Sequence, residues 1–249
     1  MRVTLLRHAT LIVETGGLRL LVDPMLDPAG ARPPVEGTPE PRRNPLVDLP
    51  ASADRELSDL DAVLVTHLHA DHFDDGAAER LRPTLPVFCQ PQDVERLEAH
   101  GLQSLRPVED ADELDALVIH RTGGHHSTDP DLARALGPVS GFVVESDEGA
   151  LYVAGDTVWC DEVAAALERH RPRAAVLNTG EARLLEGPPI TMGAADVAEV
   201  ARAAPGCRLI LVHLEAINHC LLTRERLRAE LETAGVEATI PADGESVEP

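Results

Sequence analysis

The chain of 249 residues carries 22 basic and 43 acidic residues, a formal net charge of −21, which repels polyanions at long range and argues against nucleic-acid binding. Every basic residue is arginine, so lysine Schiff-base chemistry and a phosphate-loop lysine are excluded. Aromatics are 2% of the chain, too few for a base-stacking platform, and no apolar run is long enough to cross a bilayer; with no signal-peptide pattern at the N-terminus, a soluble cytoplasmic protein is expected.

Strand-like runs open the chain: Val3 to Leu6, Leu11 to Glu14 and, after a Gly16-Gly17 turn, Leu18 to Val22, ending at Asp23-Pro24. Their close spacing predicts an antiparallel meander. Residues 24–58 are dense in Pro, Gly and Arg and lack periodicity. A stretch of that length inside a compact domain is expected to be a lid or binding loop. Asp61 to Thr66 reads as a buried strand that empties directly into His67-Leu68-His69-Ala70-Asp71-His72.

Beyond it, Asp74 to Leu81 and Pro91 to His100 read as helices, with Val87 to Cys89 a strand between them and Leu114 to His120 a strand after them. Gly141 to Glu145 and Ala150 to Ala154 form a predicted hairpin through Asp147-Glu148-Gly149. Helices over 161–170, 193–203 and 223–233 alternate with strands over 174–177 and 208–212, and Ala238 to Ile240 is a candidate edge strand. Two strand-rich halves with helices outside predict an α/β protein, a four-layer αββα sandwich built by residues 1–249 as one domain. Cys89, Cys160, Cys207 and Cys220 are dispersed, with no C-x-x-C pair, and are expected to be reduced thiols.

The chemistry concentrates at strand ends. In extended backbone, residues two apart point the same way, so His67 and His69 can converge on one cation while Asp71 and His72, as the chain turns, reach a second. Asp156, after Gly155, follows the strand ending at Ala154; His213 follows the strand ending at Val212; and Gly123-Gly124-His125-His126 follows the strand ending at His120. Each is a ligand-bearing position, although a lone strand-end Asp or His commonly caps a turn instead.

In order along the chain, His8-Ala9-Thr10, Asp23-Pro24, the His67 to His72 motif, Gly155-Asp156-Thr157, Ile190-Thr191-Met192 and His213 resemble the metallo-β-lactamase superfamily, and within it the branch of ascorbate-6-phosphate lactonase. The resemblance spans essentially the whole chain. It implies that His67, His69 and His126 hold one metal, that Asp71, His72 and His213 hold another, and that Asp156 bridges them. It favours His126 over the adjacent His125. Position 72 is histidine, without the cysteine ligand of one true β-lactamase subgroup, which argues against antibiotic hydrolysis.

The resemblance implies a hydrolase with two divalent metals, zinc in the first place given a histidine-rich donor set, with manganese or iron as alternatives. Asp71 and Asp156 are its expected catalytic carboxylates. The expected reaction is attack of a metal-activated water on a small ester, lactone or phosphodiester. A small anionic or polar molecule is the expected partner, with Arg42 and Arg43 of the 24–58 loop contributing recognition. Asp23 is expected to orient a ligand histidine. His8, His219 and Cys220 are candidate pocket residues, Trp159, Cys160 and Asp161 a candidate pocket wall, while Asn178 and Arg183 read as loop-surface positions. A di-iron oxidoreductase or a nuclease of the same fold would keep nearly the same ligands.

Overall fold

Successive side chains of a strand face opposite ways, and most strands here are apolar on both faces, so each must be covered twice. In the structure, a computed structural model describing residues 1–249, the elements follow in chain order as β1 (Arg2–Arg7), β2 (Thr10–Thr15), β3 (Leu18–Val22), α1 (Ala53–Glu56), β4 (Ala62–Val65), α2 (Asp75–Arg80), β5 (Val87–Cys89), α3 (Val94–Ala99), β6 (Leu105–Pro107), β7 (Ala111–Leu114), β8 (Leu117–Thr122) and α4 (Pro130–Leu136). The second half adds β9 (Gly141–Ser146), β10 (Gly149–Val153), α5 (Asp161–His170), β11 (Ala174–Asn178), α6 (Ala194–Ala203), β12 (Arg208–Val212), α7 (Arg224–Ala234) and β13 (Ser246–Val247).

The strands form a seven-stranded sheet, ordered β13-β1-β2-β3-β4-β5-β6, and a six-stranded sheet, ordered β12-β11-β10-β9-β8-β7. Their inner faces share one core in which Leu5, Leu20, Val22 and Leu64 of the first sheet meet Ile119, Phe142, Val153 and Val176 of the second. The alternate residues of the same strands, such as Leu21, Val63 and Val65, face outward against Ala77 of α2 and Leu97 of α3. On the far side Val143, Tyr152 and Leu211 are covered by Val163 of α5, Val197 of α6 and Leu227 of α7. The result is the expected αββα sandwich.

The opening meander is antiparallel, as expected, and β3 then pairs parallel with β4. In the second sheet β8, β9 and β10 alternate antiparallel, while β10, β11 and β12 are parallel. The ends of β3, β4, β8, β10, β11 and β12 therefore open at one edge of the sandwich. Sites gather outside the carboxyl ends of such strands.

Several segments depart from expectation. The strand expected over Leu114 to His120 is a hairpin, β7 with β8, turned by Asp115 in the left-handed region at φ 48°. No glycine announces that turn, and aspartate tolerates this conformation. Short α4 was not expected, although Asp129 caps it by accepting from the Asp131 and Leu132 amides and Pro130 stands in its first turn. Of the tail over 238–240, only Thr239 makes a bridge, to Ile210, and the edge strand is β13.

The 24–58 segment is held by polar clamps and includes the single-turn α1. The buried Arg7 guanidinium donates to the carbonyls of Met25, Asp27 and Val47 at 2.7–2.9 Å. Asn218 accepts from the Val35 amide and from Asn44 Nδ2 and donates to Thr38 Oγ1. Such clamps leave no periodic signature, which is why the segment reads as structureless. All four cysteines are free, and no helix is long and apolar enough to cross a membrane.

Candidate metal centre

Strand β4 ends at Val65, and the chain stays extended long enough to place His67 and His69 side by side, with His67 Nε2 3.0 Å from His69 Nδ1. It then turns: the His72 and Phe73 amides both donate to the His69 carbonyl. Asp74 caps α2 by accepting from the Ala77 amide. This turn brings His72 back beneath His67, ring centroids 4.1 Å apart.

Two donor groups result. His67, His69 and His126 converge in one, while Asp71, His72, His213 and also His8 converge in the other. Asp156 groups with His67 and His72, between the two sets. Its Oδ2 lies 3.3 Å from His72 Nε2 and its Oδ1 3.2 Å from His213 Nε2. Gly155 allows this placement: its φ is +69°, and a Cβ there would stand 2.6 Å from the Ser140 carbonyl oxygen. The neighbouring His125 turns away, half-exposed, with Nε2 2.9 Å from Glu162.

Surrounding groups fix the rings. Asp23 accepts from the Thr66 amide and hydroxyl and from His72 Nδ1, each at 2.8 Å. His69 Nε2 donates to the Leu136 carbonyl, which turns Nδ1 into the site. Cys220 Sγ lies 3.4 Å from His213 Nδ1. Asn178, the last residue of β11, is buried and donates from Nδ2 to Asp156 Oδ1 at 2.7 Å. It belongs to the centre, contrary to its reading as a loop-surface residue. His8, expected as a candidate pocket residue, stands within the second donor group: its Nε2 is 3.2 Å from Asp71 Oδ2 and its ring lies 3.6 Å from that of His213. His8, Asp23 and His213 all adopt positive φ, and such conformations outside glycine cluster at functional sites.

The electrostatics follow from burial. Desolvation drives His67 well below the usual histidine range, and takes His126 down to about 4 and His8 to about 3. Burial would raise Asp71, but the His8 hydrogen bond and the His72 charge hold it well below the usual carboxylate range. Asp156 is held low in the same way by His213 and His72. For His72, burial is outweighed by Asp156 and Asp23, which raise it well above its usual value.

His72 Nε2, His213 Nε2 and both nitrogens of His126 are buried without a hydrogen-bond partner. Buried unpartnered nitrogens are costly, and here they converge with two ionised carboxylates. Mixed imidazole and carboxylate donors of this kind fit divalent transition ions.

A cavity of about 390 Å³ opens onto His69, Asp71 and Asp156. Met25, Pro34, Val35, Leu136, Ile190 and Ile217 line it, with Asn44 and His219 among its polar groups. Arg32 is its one arginine, and it is paired to Asp27 and Asp75. Arg42 pairs with Glu40, and Arg43 donates to the Gly30 and Ala31 carbonyls, so neither reaches this cavity. Trp159 and Cys160 pack against the outer core of the second sheet, Asp161 begins α5, and none of the three forms a wall. Arg183 pairs with Glu181.

A two-sheet αββα sandwich with His and Asp donors gathered at its strand ends defines a protein of the metallo-β-lactamase type. Residues 18–214 match the Beta-lactamase superfamily domain. The chain is 37% identical to the UPF0173 protein YddR of Bacillus subtilis over 99% of both chains. It is 30% identical to the UPF0173 metal-dependent hydrolase MK1542 of Methanopyrus kandleri over the full length of both. The crystal structure of an isothiocyanate hydrolase from Delia radicum gut bacteria superposes with a TM-score of 0.93 at 36% identity, covering 100% of this chain and 99% of that one. The chain belongs to the metallo-β-lactamase superfamily and, within it, to the UPF0173 family.

Proposed function

We propose that this chain, a metal-dependent hydrolase of the metallo-β-lactamase fold, holds two divalent ions and acts on a small, uncharged and largely apolar electrophile, with isothiocyanates as the leading class. His67, His69 and His126 would hold one ion, Asp71, His72 and His213 the other, and Asp156 would serve both; zinc suits this donor set best. When bound, the metals supply Lewis acidity and lower the pKa of water.

The observation that carries the substrate reading is the cavity wall. A pocket built to hold an anion presents free cationic donors, whereas the one arginine here is held by two aspartates and the rest of the wall is dominated by Met, Pro, Val, Leu and Ile. The similarity to an isothiocyanate hydrolase over the full chain points the same way. An isothiocyanate fits such a site, being a neutral N=C=S group with an electrophilic central carbon on an apolar substituent. Water adds at that carbon, and the thiocarbamic acid so formed separates into an amine and carbonyl sulfide.

The chain's own groups divide the remaining work. The apolar wall strips water from the substituent. His219, which burial holds below the usual histidine range and therefore neutral, lines the cavity, and its ring can hydrogen-bond the sulfur or nitrogen as charge develops. Asn178 holds Asp156 in one orientation.

The test is a panel of benzyl isothiocyanate, a neutral ester, a lactone and a phosphodiester with metal-loaded protein, following amine release from the first and loss of each of the other substrates. Turnover of the isothiocyanate above the rest is expected. Phosphodiester turnover with an inert isothiocyanate would overturn the reading.

A further inference from the structure

We propose that His120, Glu145 and His170 form a separate site for one divalent transition ion of the zinc class, on the outer face of the second sheet. In the β8–β9 ladder His120 pairs with Val143 and Glu145 with Val118. Residues two apart share a face, so His120 and Glu145 are diagonal neighbours on the face that α5 covers. His170, the last residue of α5, closes the group from above.

The geometry is that of a coordination shell. His120 Nε2 lies 3.3 Å from Glu145 Oε2, His170 Nδ1 lies 3.0 Å from Glu145 Oε1, and one ligand atom from each residue falls within 4.8 Å of the others. Tetrahedral ligands about 2.1 Å from a zinc ion stand roughly 3.4 Å apart, so small adjustments suffice. His120 Nε2 is buried and, although 3.3 Å from Glu145 Oε2, makes no hydrogen bond to it, which leaves its lone pair for an ion held between the two. Glu145 is 40% exposed, which leaves a side open to water for the remaining coordination position. The carbonyl end of α5 adds partial negative charge beside His170.

This group is remote from the catalytic centre along the strands. Glu145 pairs with Ala150 at the start of β10, whereas Asp156 lies beyond the end of that strand at Val153. The three residue steps from Ala150 to Val153 span about 10 Å. An ion here would join the last turn of α5 to β8 and β9 and stabilise the folded state by binding it alone.

The experiment uses the full chain, dialysed against Zn2+ alone, with metal counted by mass spectrometry. Wild type should hold one more ion per chain than Glu145→Gln or His170→Gln, and each substitution should weaken that last ion by at least about tenfold. Histidine-ring NMR of wild type should show the last equivalent shifting His120 and His170, and the melting temperature should rise with it in wild type alone. Equal metal counts in wild type and both variants, or a last equivalent that leaves the His120 and His170 signals unmoved, would overturn the site and leave a plain hydrogen-bonded ion pair. Because metal count and ring signals involve no substrate, failure of the isothiocyanate reading leaves this test intact.

Discussion

His72 Nδ1 and Asp23 Oδ2 stand 2.8 Å apart, and this contact turns the opposite ring nitrogen to within 3.3 Å of Asp156. The same carboxylate also receives the amide and hydroxyl of Thr66, so the end of β3 sets both the course of the chain leaving β4 and the aim of the His72 ring into the candidate centre. Carboxylates in this position fix the tautomer and raise ligand basicity. Asp23→Asn should therefore weaken metal binding by about 10–100-fold without removing the site. Chelator competition measures it, and excess metal should restore turnover. Unchanged affinity would mean that Asp23 only ties the two strands together.

The adjacent histidines provide a sharper contrast. His126 is buried, both of its nitrogens are unpartnered, and it groups with His67 and His69; His125 reaches Glu162 at the surface. His126→Ala should lower the metal content by about one ion per chain, whereas His125→Ala should keep it. The opposite pattern would reassign the ligand by one residue.

In metal-free protein the buried histidines make stability depend on pH. His8 and His126 titrate at about 3 and about 4 when folded and His67 is also lowered, against about 6.5 unfolded. Below pH 6.5 the unfolded chain takes up protons that these rings refuse, so their contribution is complete above that pH and is lost as pH falls toward 4. His72 works in the other direction, since Asp156 and Asp23 favour its charged form and its contribution is present at low pH and lost as pH rises through its folded value. With His219, also lowered by burial, four lowered rings outnumber one raised. The urea midpoint of stripped protein should fall between pH 7 and pH 5, and His126→Asn should flatten the decline in unfolding free energy by at most about 1.4 kcal/mol per pH unit. A midpoint that climbs on acidification would show that His72 dominates.

What the sequence discloses here depends on how local the physics is. The run Asp61 to His72 announces itself because one strand end supplies its period and its donors together. The two-sheet sandwich is equally legible, since strands such as Ala62–Val65 are apolar on both faces and must be covered on both. His8 and Asn178 also stand at strand ends, but their part in the site depends on which strands are neighbours. The amide of His213 donates to the His8 carbonyl, joining the end of β12 to the end of β1 across the sandwich. No pattern within either segment encodes that contact. The β7–β8 hairpin is hidden for a different reason: aspartate at position 115 takes a left-handed φ that glycine would have advertised.

Asp156 is the residue whose loss should cost most, because it is the one donor positioned between both groups. Its Oδ2 faces His72 and its Oδ1 faces His213, and Asn178 holds Oδ1 at 2.7 Å. Asp156→Ala removes a negative charge from between the two donor groups, leaving Asp71 as their only carboxylate. Repulsion between the bound ions then rises while each has one donor fewer, and metal content should drop toward one ion per chain. The buried Asn178 amide also loses its acceptor, a penalty of about 1–3 kcal/mol on stability. Asp156→Asn separates the two effects, since the side-chain oxygen can still accept from Asn178 while the charge is gone. Both variants should lose turnover by at least about a hundredfold, but only the alanine protein should also unfold earlier. Metal analysis, turnover and urea denaturation of the two variants side by side check this. Full metal content and near-normal turnover in Asp156→Ala would mean that Asp156 is a strand-end turn residue and that the two donor groups act independently.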